Sequence, residues 1–187
     1  MTHEQVIMLS RNKHKIREAV EILSPLGIHV ISVDKAIDEI QTNDPIRLVT
    51  DKALRAFSMI GLPLFVEHTG LYFPSMGGLP GGLTQVFWDA LQADKFSELY
   101  GSKIGIGVVA KTDICYCDGK SFHQFSGEVV GRIADSPRGS REFQWDCVFI
   151  PDGHAVTFAE MGPKKNDISM RRIALSAFAK FLESQHA

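Results

Sequence analysis

Cysteine is scarce in this chain: Cys115, Cys117 and Cys147 are the three among 187 residues. An odd number without metal-ligand spacing excludes a disulfide framework and a cysteine-based zinc site, and leaves free thiols in β-structure as the expectation. No run of about 18 apolar residues occurs, and the opening MTHEQVIML has no extended apolar stretch, so neither membrane spanning nor export is expected and the protein reads as cytoplasmic. Positive charge is not in surplus either. With 20 Lys+Arg against 22 Asp+Glu the formal net charge is -2, which supplies no global basic field and argues against nucleic acid as a partner, while leaving room for a local basic pocket. Internal repeats, low-complexity tracts and a Ser or Cys nucleophile elbow are absent as well. What is present is 44% hydrophobic and 22% charged content, enough for a well-buried core in one domain spanning 1–187.

The apolar pattern alternates between strands and helices. Val6 to Leu9 reads as a buried strand, followed by the polar Ser10-Arg11-Asn12-Lys13 and a helical pattern through Ile16, Ala19, Val20 and Leu23. Asn12 is the expected N-cap, and the helix-start amides with Lys15 form a candidate anion site. His29 to Val33 is a second strand, and Asp44-Pro45 starts a helix that carries Lys52. Leu64 to Val66 then leads into Glu67, His68 and Thr69, a polar cluster at the end of an apolar run, with Gly70 expected to make a tight turn before a second run at Leu71-Tyr72-Phe73. Gly77 to Gly82 is a loop that allows close approach of a ligand. Leu83 to Tyr100 reads as a helix with Phe87, Leu91, Phe96 and Leu99 toward the core. Ile104 to Cys117 and Ser121 to Ile133 form a hairpin around Asp118-Gly119, expected to build the sheet of a second lobe, and a last helix is expected from about Asp167 to Leu182.

Several ordered motifs resemble the inosine triphosphate pyrophosphatase (ITPase) family over nearly the whole chain. Ser10-Arg11-Asn12-Lys13-His14-Lys15 with Glu18 fits its opening S/T-x-N-x-x-K-x-x-E, Glu39-Ile40-Gln41 its Glu-x-Gln segment, and Gly78-Leu79-Pro80-Gly81 its G-x-P-G loop. Phe143-Gln144-Trp145-Asp146, Thr157 with Ala159-Glu160, and Lys165-Asn166 with Ser169 and Arg171 follow in order. The resemblance implies a two-lobed α/β fold with an elongated mixed β-sheet and a nucleotide cleft between lobes. It also implies hydrolysis of deaminated purine triphosphates (ITP, dITP, XTP) to the monophosphate and pyrophosphate, with Mg²⁺ as cofactor and a homodimer as assembly. By the same resemblance Ser10, Asn12, Lys15 and Lys52 hold phosphates and Glu39 and Glu67 hold metal. Phe143 and Trp145 sandwich the base, while Asp146, Lys165, Ser169 and Arg171 surround it.

Three departures stand against these matches. The family's Glu/Asp-Asp-Ser/Thr-Gly is Glu67-His68-Thr69-Gly70 here, so histidine replaces the acid used for metal binding and water activation. Ser169-Met170-Arg171 lacks the histidine of Ser-His-Arg, and Gln144 and Cys147 replace the usual Gly and Pro beside Trp145-Asp146. Two functions compete for the same ligand. Retained binding residues beside a lost acid favour a catalytically weakened sensor of deaminated purine triphosphates that reports to an effector protein. The alternative is an active Mg²⁺-dependent pyrophosphatase in which Lys15, Glu67 and His68 act in catalysis and His68 serves as base.

Overall fold

A short parallel unit and a long antiparallel one share a single sheet. The computed structural model describes residues 4–101 and 107–185. β1 (Glu4–Leu9) pairs in parallel with β2 (Ile28–Val33) along its length, from Glu4 opposite Ile28 to Leu9 opposite Val33. Between them lies α1 (Lys13–Leu23), which starts where predicted because Asn12 Oδ1 accepts from the amides of His14 and Lys15 at 3.0 and 3.2 Å. That cap occupies two of the amides expected to face an anion. α2 (Pro45–Ile60) begins in the same way: Asp44 Oδ1 accepts from Ile46 N and Arg47 N, and Pro45 takes the first helical position.

β3 (Leu64–Tyr72) pairs with β1 only at Leu64 and Phe65, then continues antiparallel to β4 (Val108–Cys117) from Leu64 opposite Cys117 to Tyr72 opposite Val109. β5 (Phe122–Ile133) and β6 (Phe149–Pro151) complete a mixed six-stranded sheet of order β2-β1-β3-β4-β5-β6. Alternation along β3 sends neighbours to opposite faces. Phe65 joins Ala19, Ile22 and Leu23 of α1 and Ala174, Leu175 and Phe178 of α5 (Met170–Gln185). Leu64 and Val66 join Val49, Ala53 and Ala56 of α2 on the other side. A third apolar cluster packs Phe73, Trp88, Phe96, Trp145, Phe149 and Phe158 beneath α3 (Thr84–Tyr100) and α4 (Phe158–Met161).

The structure corrects several expectations. Gly70 makes no turn; it lies within β3 because the backbone of the following loop folds against it. A Cβ there would stand 2.5 Å from Gly81 O and 3.0 Å from Thr84 Oγ1. Gly70→Ala should therefore cost about 1–3 kcal/mol, read as a lower urea midpoint at unchanged slope. The β4–β5 hairpin extends the common sheet rather than building a separate one, since β4 pairs with β3 along nine positions. It turns at Asp118, whose Oδ1 accepts from Lys120 N and Ser121 N. The start of the expected run at Ile104 lies outside the described residues.

In α3 a non-helical Gln92 (φ 54°, ψ 177°) shifts the phase. Trp88, Ala93 and Phe96 are buried, Phe87 is half-buried and Leu99 is exposed. The last helix starts at Met170 because Gly162–Asp167 forms a 3-10 turn, and Cys147 sits in another such turn, Gln144–Cys147, rather than in a strand. All three thiols are free and buried. No helix among the described residues is long and apolar enough to cross a membrane.

Candidate functional site

Glu67, His68 and Thr69 stand in the middle of β3, not at its end, yet they still border an opening. β1 stops at Leu9 while β3 runs on, and α1 and α2 depart on opposite faces of the sheet, so a crevice forms outside the carboxyl end of β1. It has a volume of about 580 Å³ and is lined by Ser10, Asn12, Lys15, Glu39, Lys52 and His68, together with Lys35 and Gln85. This size suits a nucleotide's phosphates and sugar. Ser10 Oγ accepts from Asn12 N, which fixes the loop that enters α1. Lys52 Nζ donates to Glu39 Oε1 at 2.6 Å and to the carbonyl of Glu67 at 3.1 Å, so the α2 lysine ties the β2–α2 connection to β3.

His68 points to the α2 side. Its Nδ1 lies 3.6 Å from Glu39 Oε2, and its Nε2 is buried with no hydrogen-bond partner. Burial holds the imidazole pKa below its ordinary value, against the pull of Glu39, so His68 is neutral at pH 7. Glu39 itself stays ionised: burial pushes its carboxyl up, but His68 and Lys52 outweigh that and bring it below the carboxylate range.

Glu67 and Thr69 point to the α1 and α5 side, into a chain of buried charges. Arg171 Nε and Nη2 donate to the two oxygens of Glu67, each at 2.8 Å, and Nη2 also reaches Thr69 Oγ1 at 3.2 Å. Arg171 Nη1 donates to Glu18, and Lys165 Nζ bridges Glu18 at 2.9 Å and Asp146 at 2.6 Å. Lys15 Nζ completes the chain at 3.2 Å from Glu67 Oε1. Burial raises the Glu67 carboxyl, but Arg171 and Lys15 more than reverse this and hold it ionised. Burial also lowers the ammonium pKa of Lys15, opposed by Glu67. For Asp146 burial prevails over Lys165, and its carboxyl is raised.

These contacts fix where the expected site residues sit in the fold. Both Glu67 oxygens accept from cations, Glu67 is 2% exposed, and it is not among the residues that line the crevice. Among the described residues no group of three or more His, Cys, Asp or Glu side chains is arranged to hold a metal ion. Glu39 is the one expected ligand that lines the crevice, which fits Mg²⁺ bound through a single carboxylate plus phosphate oxygens and water. Arg171 commits four of its five N–H groups to Glu67, Glu18 and Thr69, so its main work is to hold the acids. Ser169 is buried and its hydroxyl accepts from Arg172 N, capping α5.

The aromatic pair is not an open sandwich. Trp145 is 3% exposed and packs edge-on to Phe149 at 5.8 Å, whereas Phe143 stacks on His14 at 4.9 Å with Lys165 Nζ 4.4 Å from its ring centre. The space between Phe143, Trp145 and Arg171 is about 10 Å³, room for roughly one water. A neighbouring pocket of about 330 Å³ is lined by His14, Glu18, Phe143, Asp146 and Lys165.

Glu18 and Asp113 were not assigned roles from sequence. Glu18 stands one turn after Lys15 on α1, a spacing that could have flagged it. Asp113 faces His68 across the β3–β4 register and receives the Ser126 hydroxyl; a lone acid in a β-run gives no local signal of that.

Residues 6–181 match the Ham1 family. The chain is 32% identical over 185 residues to the dITP/XTP pyrophosphatase of Methanopyrus kandleri, covering 98% of each chain. It is 31% identical over 193 residues to the inosine triphosphate pyrophosphatase of Saccharomyces cerevisiae, covering 97% of this chain and 98% of that one. Two solved structures share the fold. They are a HAM1 protein from Coxiella burnetii (TM-score 0.79, 24% identity, 97% and 99% coverage) and the Staphylococcus aureus Ham1 protein (TM-score 0.73, 21% identity, 97% and 100% coverage). A mixed sheet with a crevice at β1, the ordered motifs and this full-length similarity agree, and the chain belongs to the Ham1 family, the ITPase group that its motifs resemble.

Proposed function

We propose that this protein is a nucleoside triphosphate pyrophosphatase that converts ITP, dITP and XTP to the monophosphate and pyrophosphate. The observation that carries the reading is the crevice itself, where Lys15 and Lys52 stand beside a neutral, buried His68 and the carboxylate of Glu39. The names of the curated relatives support catalysis rather than sensing through an effector protein.

Lys15 and Lys52 neutralise the triphosphate, with Ser10 and Asn12 shaping the loop beneath it. His68 takes a proton from the attacking water on Nε2, which keeps its lone pair because Nδ1 carries the ring proton toward the ionised Glu39 carboxylate. The water oxygen bonds to the α-phosphorus, the bond to the bridging oxygen breaks, and pyrophosphate leaves with its charge balanced by the two lysines. Mg²⁺, when bound by Glu39 and the phosphates, adds charge neutralisation to that departure. Asp146 and Lys165 supply an acceptor and a donor for the N1–H and O6 of a 6-keto purine, an arrangement adenine does not match.

Incubating the protein with Mg²⁺ and ITP, dITP, XTP or ATP, with pyrophosphate release and calorimetric binding followed in one sample, tests this directly. Turnover of the deaminated nucleotides at least about a hundredfold above ATP is expected. Binding of ITP without pyrophosphate release would overturn the enzyme reading in favour of a sensor. Lys52→Ala should weaken ITP by about 1.5–3 kcal/mol, on the order of tenfold to a hundredfold, and leave inosine affinity unchanged. Equal losses for nucleoside and triphosphate would remove Lys52 from the phosphate site.

A further inference from the structure

Three residues line both the crevice and the small space beside Trp145: Lys15, Thr69 and Gln144. A nucleotide with its phosphates in the crevice and its base toward Asp146 and Lys165, which line the second space, lays its sugar along these three. Lys15 is held by Glu67, and Thr69 Oγ1 is held by Thr112 and Arg171. Gln144 differs from both. Its backbone has φ 43°, in the left-handed region that a non-glycine residue enters at a cost, so the turn presents a side chain where glycine would be the easier choice.

The orientation of that side chain is fixed from outside. Asp89 can only accept, and it receives Gln85 Nε2 at 2.7 Å, which turns Gln85 Oε1 outward. Gln144 Nε2 donates to that oxygen. The relay from Asp89 through Gln85 to Gln144 leaves Gln144 Oε1 accepting no hydrogen bond from the described residues, on a half-buried carboxamide at the seam between phosphate and base. An oriented acceptor that no protein group occupies can take a hydroxyl proton from a sugar laid against it.

Resting on the pyrophosphatase reading, we propose that Gln144, oriented by Gln85, is a specificity-determining residue that reads the ribose 2′-hydroxyl and makes this protein prefer ribonucleotides to deoxyribonucleotides. A contact built to pair with a hydroxyl discriminates against the analogue that lacks it, because the partner is then left unpaired.

The test compares ITP with dITP, by kcat/KM and by calorimetric binding, in the unmodified protein, Gln144→Gly and Gln85→Ala. Gln144→Gly removes the side chain and relieves the backbone, so loss of folding does not obscure the result. The expected outcome is a preference for ITP of about tenfold in the unmodified protein, falling to within about twofold in Gln144→Gly, with the larger loss falling on ITP. Gln85→Ala should narrow the ratio partway, since the amide loses its orientation but not its oxygen. A ratio below twofold in the unmodified protein, or one that survives Gln144→Gly, overturns the sugar role while leaving the pyrophosphatase reading intact. Absence of binding by every inosine nucleotide would overturn both.

Discussion

Arg171→Met should remove about 3–5 kcal/mol of folding stability, one of the two largest effects expected of any single change in this protein. Arg171 is 1% exposed and bonds both oxygens of Glu67 as well as Glu18, so its loss strands two buried carboxylates with only Lys15 and Lys165 beside them. Methionine fills much of the volume, which makes the cost electrostatic rather than a cavity effect. The pH dependence separates the two. Burial raises the carboxyls of Glu67 and Glu18, but Arg171 with Lys15 for one and with Lys165 for the other brings both below their ordinary value. Groups of that sign stabilise the fold above the unfolded-state pKa of about 4.3 and lose the contribution as pH falls through the folded value. Without Arg171 the burial effect prevails and the sign reverses, so the variant loses stability as pH rises. Urea unfolding should show a gap between the two proteins that is widest at pH 7, smaller at pH 4, and closed only well below pH 4, where Glu67 and Glu18 take up protons in the unmodified protein. A gap independent of pH would mean that packing, not charge, is what Arg171 contributes.

That network shows where sequence reading stops. Local signals were legible: Asn12 and Asp44-Pro45 cap their helices as their side-chain chemistry dictates, and Asp118-Gly119 turns the hairpin. Lys15, Lys52, Glu39 and His68 were each singled out, and the fold brings them to one crevice. What was hidden is who meets whom at long range. Arg171 reaches Glu67 across 104 positions and Glu18 across 153, pairings that no spacing rule encodes. Gly70 looks the same in sequence whether it makes a turn or accommodates another backbone. Trp145 reads in sequence as a stacking face, and sequence gives no sign that it also packs edge-on to Phe149 in the apolar cluster while lining the small space beside Phe143. The α3 pattern held for Phe96 and Leu91, while Leu99 is exposed beyond the non-helical Gln92, which shifts the phase of the residues after it.

His68→Ala should lower kcat by on the order of 10² to 10⁴ with little change in KM for ITP, the usual worth of a positioned general base. His68 is poised for that task by its surroundings rather than by its identity. Burial disfavours the imidazolium, Glu39 partly restores it, and the net pKa lies below the ordinary value near 6.5. The base-competent neutral form therefore persists at pH 7, and activity should fall only as pH drops below about 6.5, through the lowered pKa. His68→Asp places a carboxylate on the same face of β3, where the charges of Lys15 and Lys52 favour the ionised form and the Glu39 carboxylate opposes it. It should recover at least about tenfold over His68→Ala and carry the acid limb of the kcat profile to lower pH, since a carboxylate remains a base where imidazole is already protonated. A His68→Ala rate within about threefold of the unmodified enzyme, or an acid limb that stays in place in His68→Asp, would assign water activation to another group. Asp113, opposite His68 in the β3–β4 register, would be the next residue to replace.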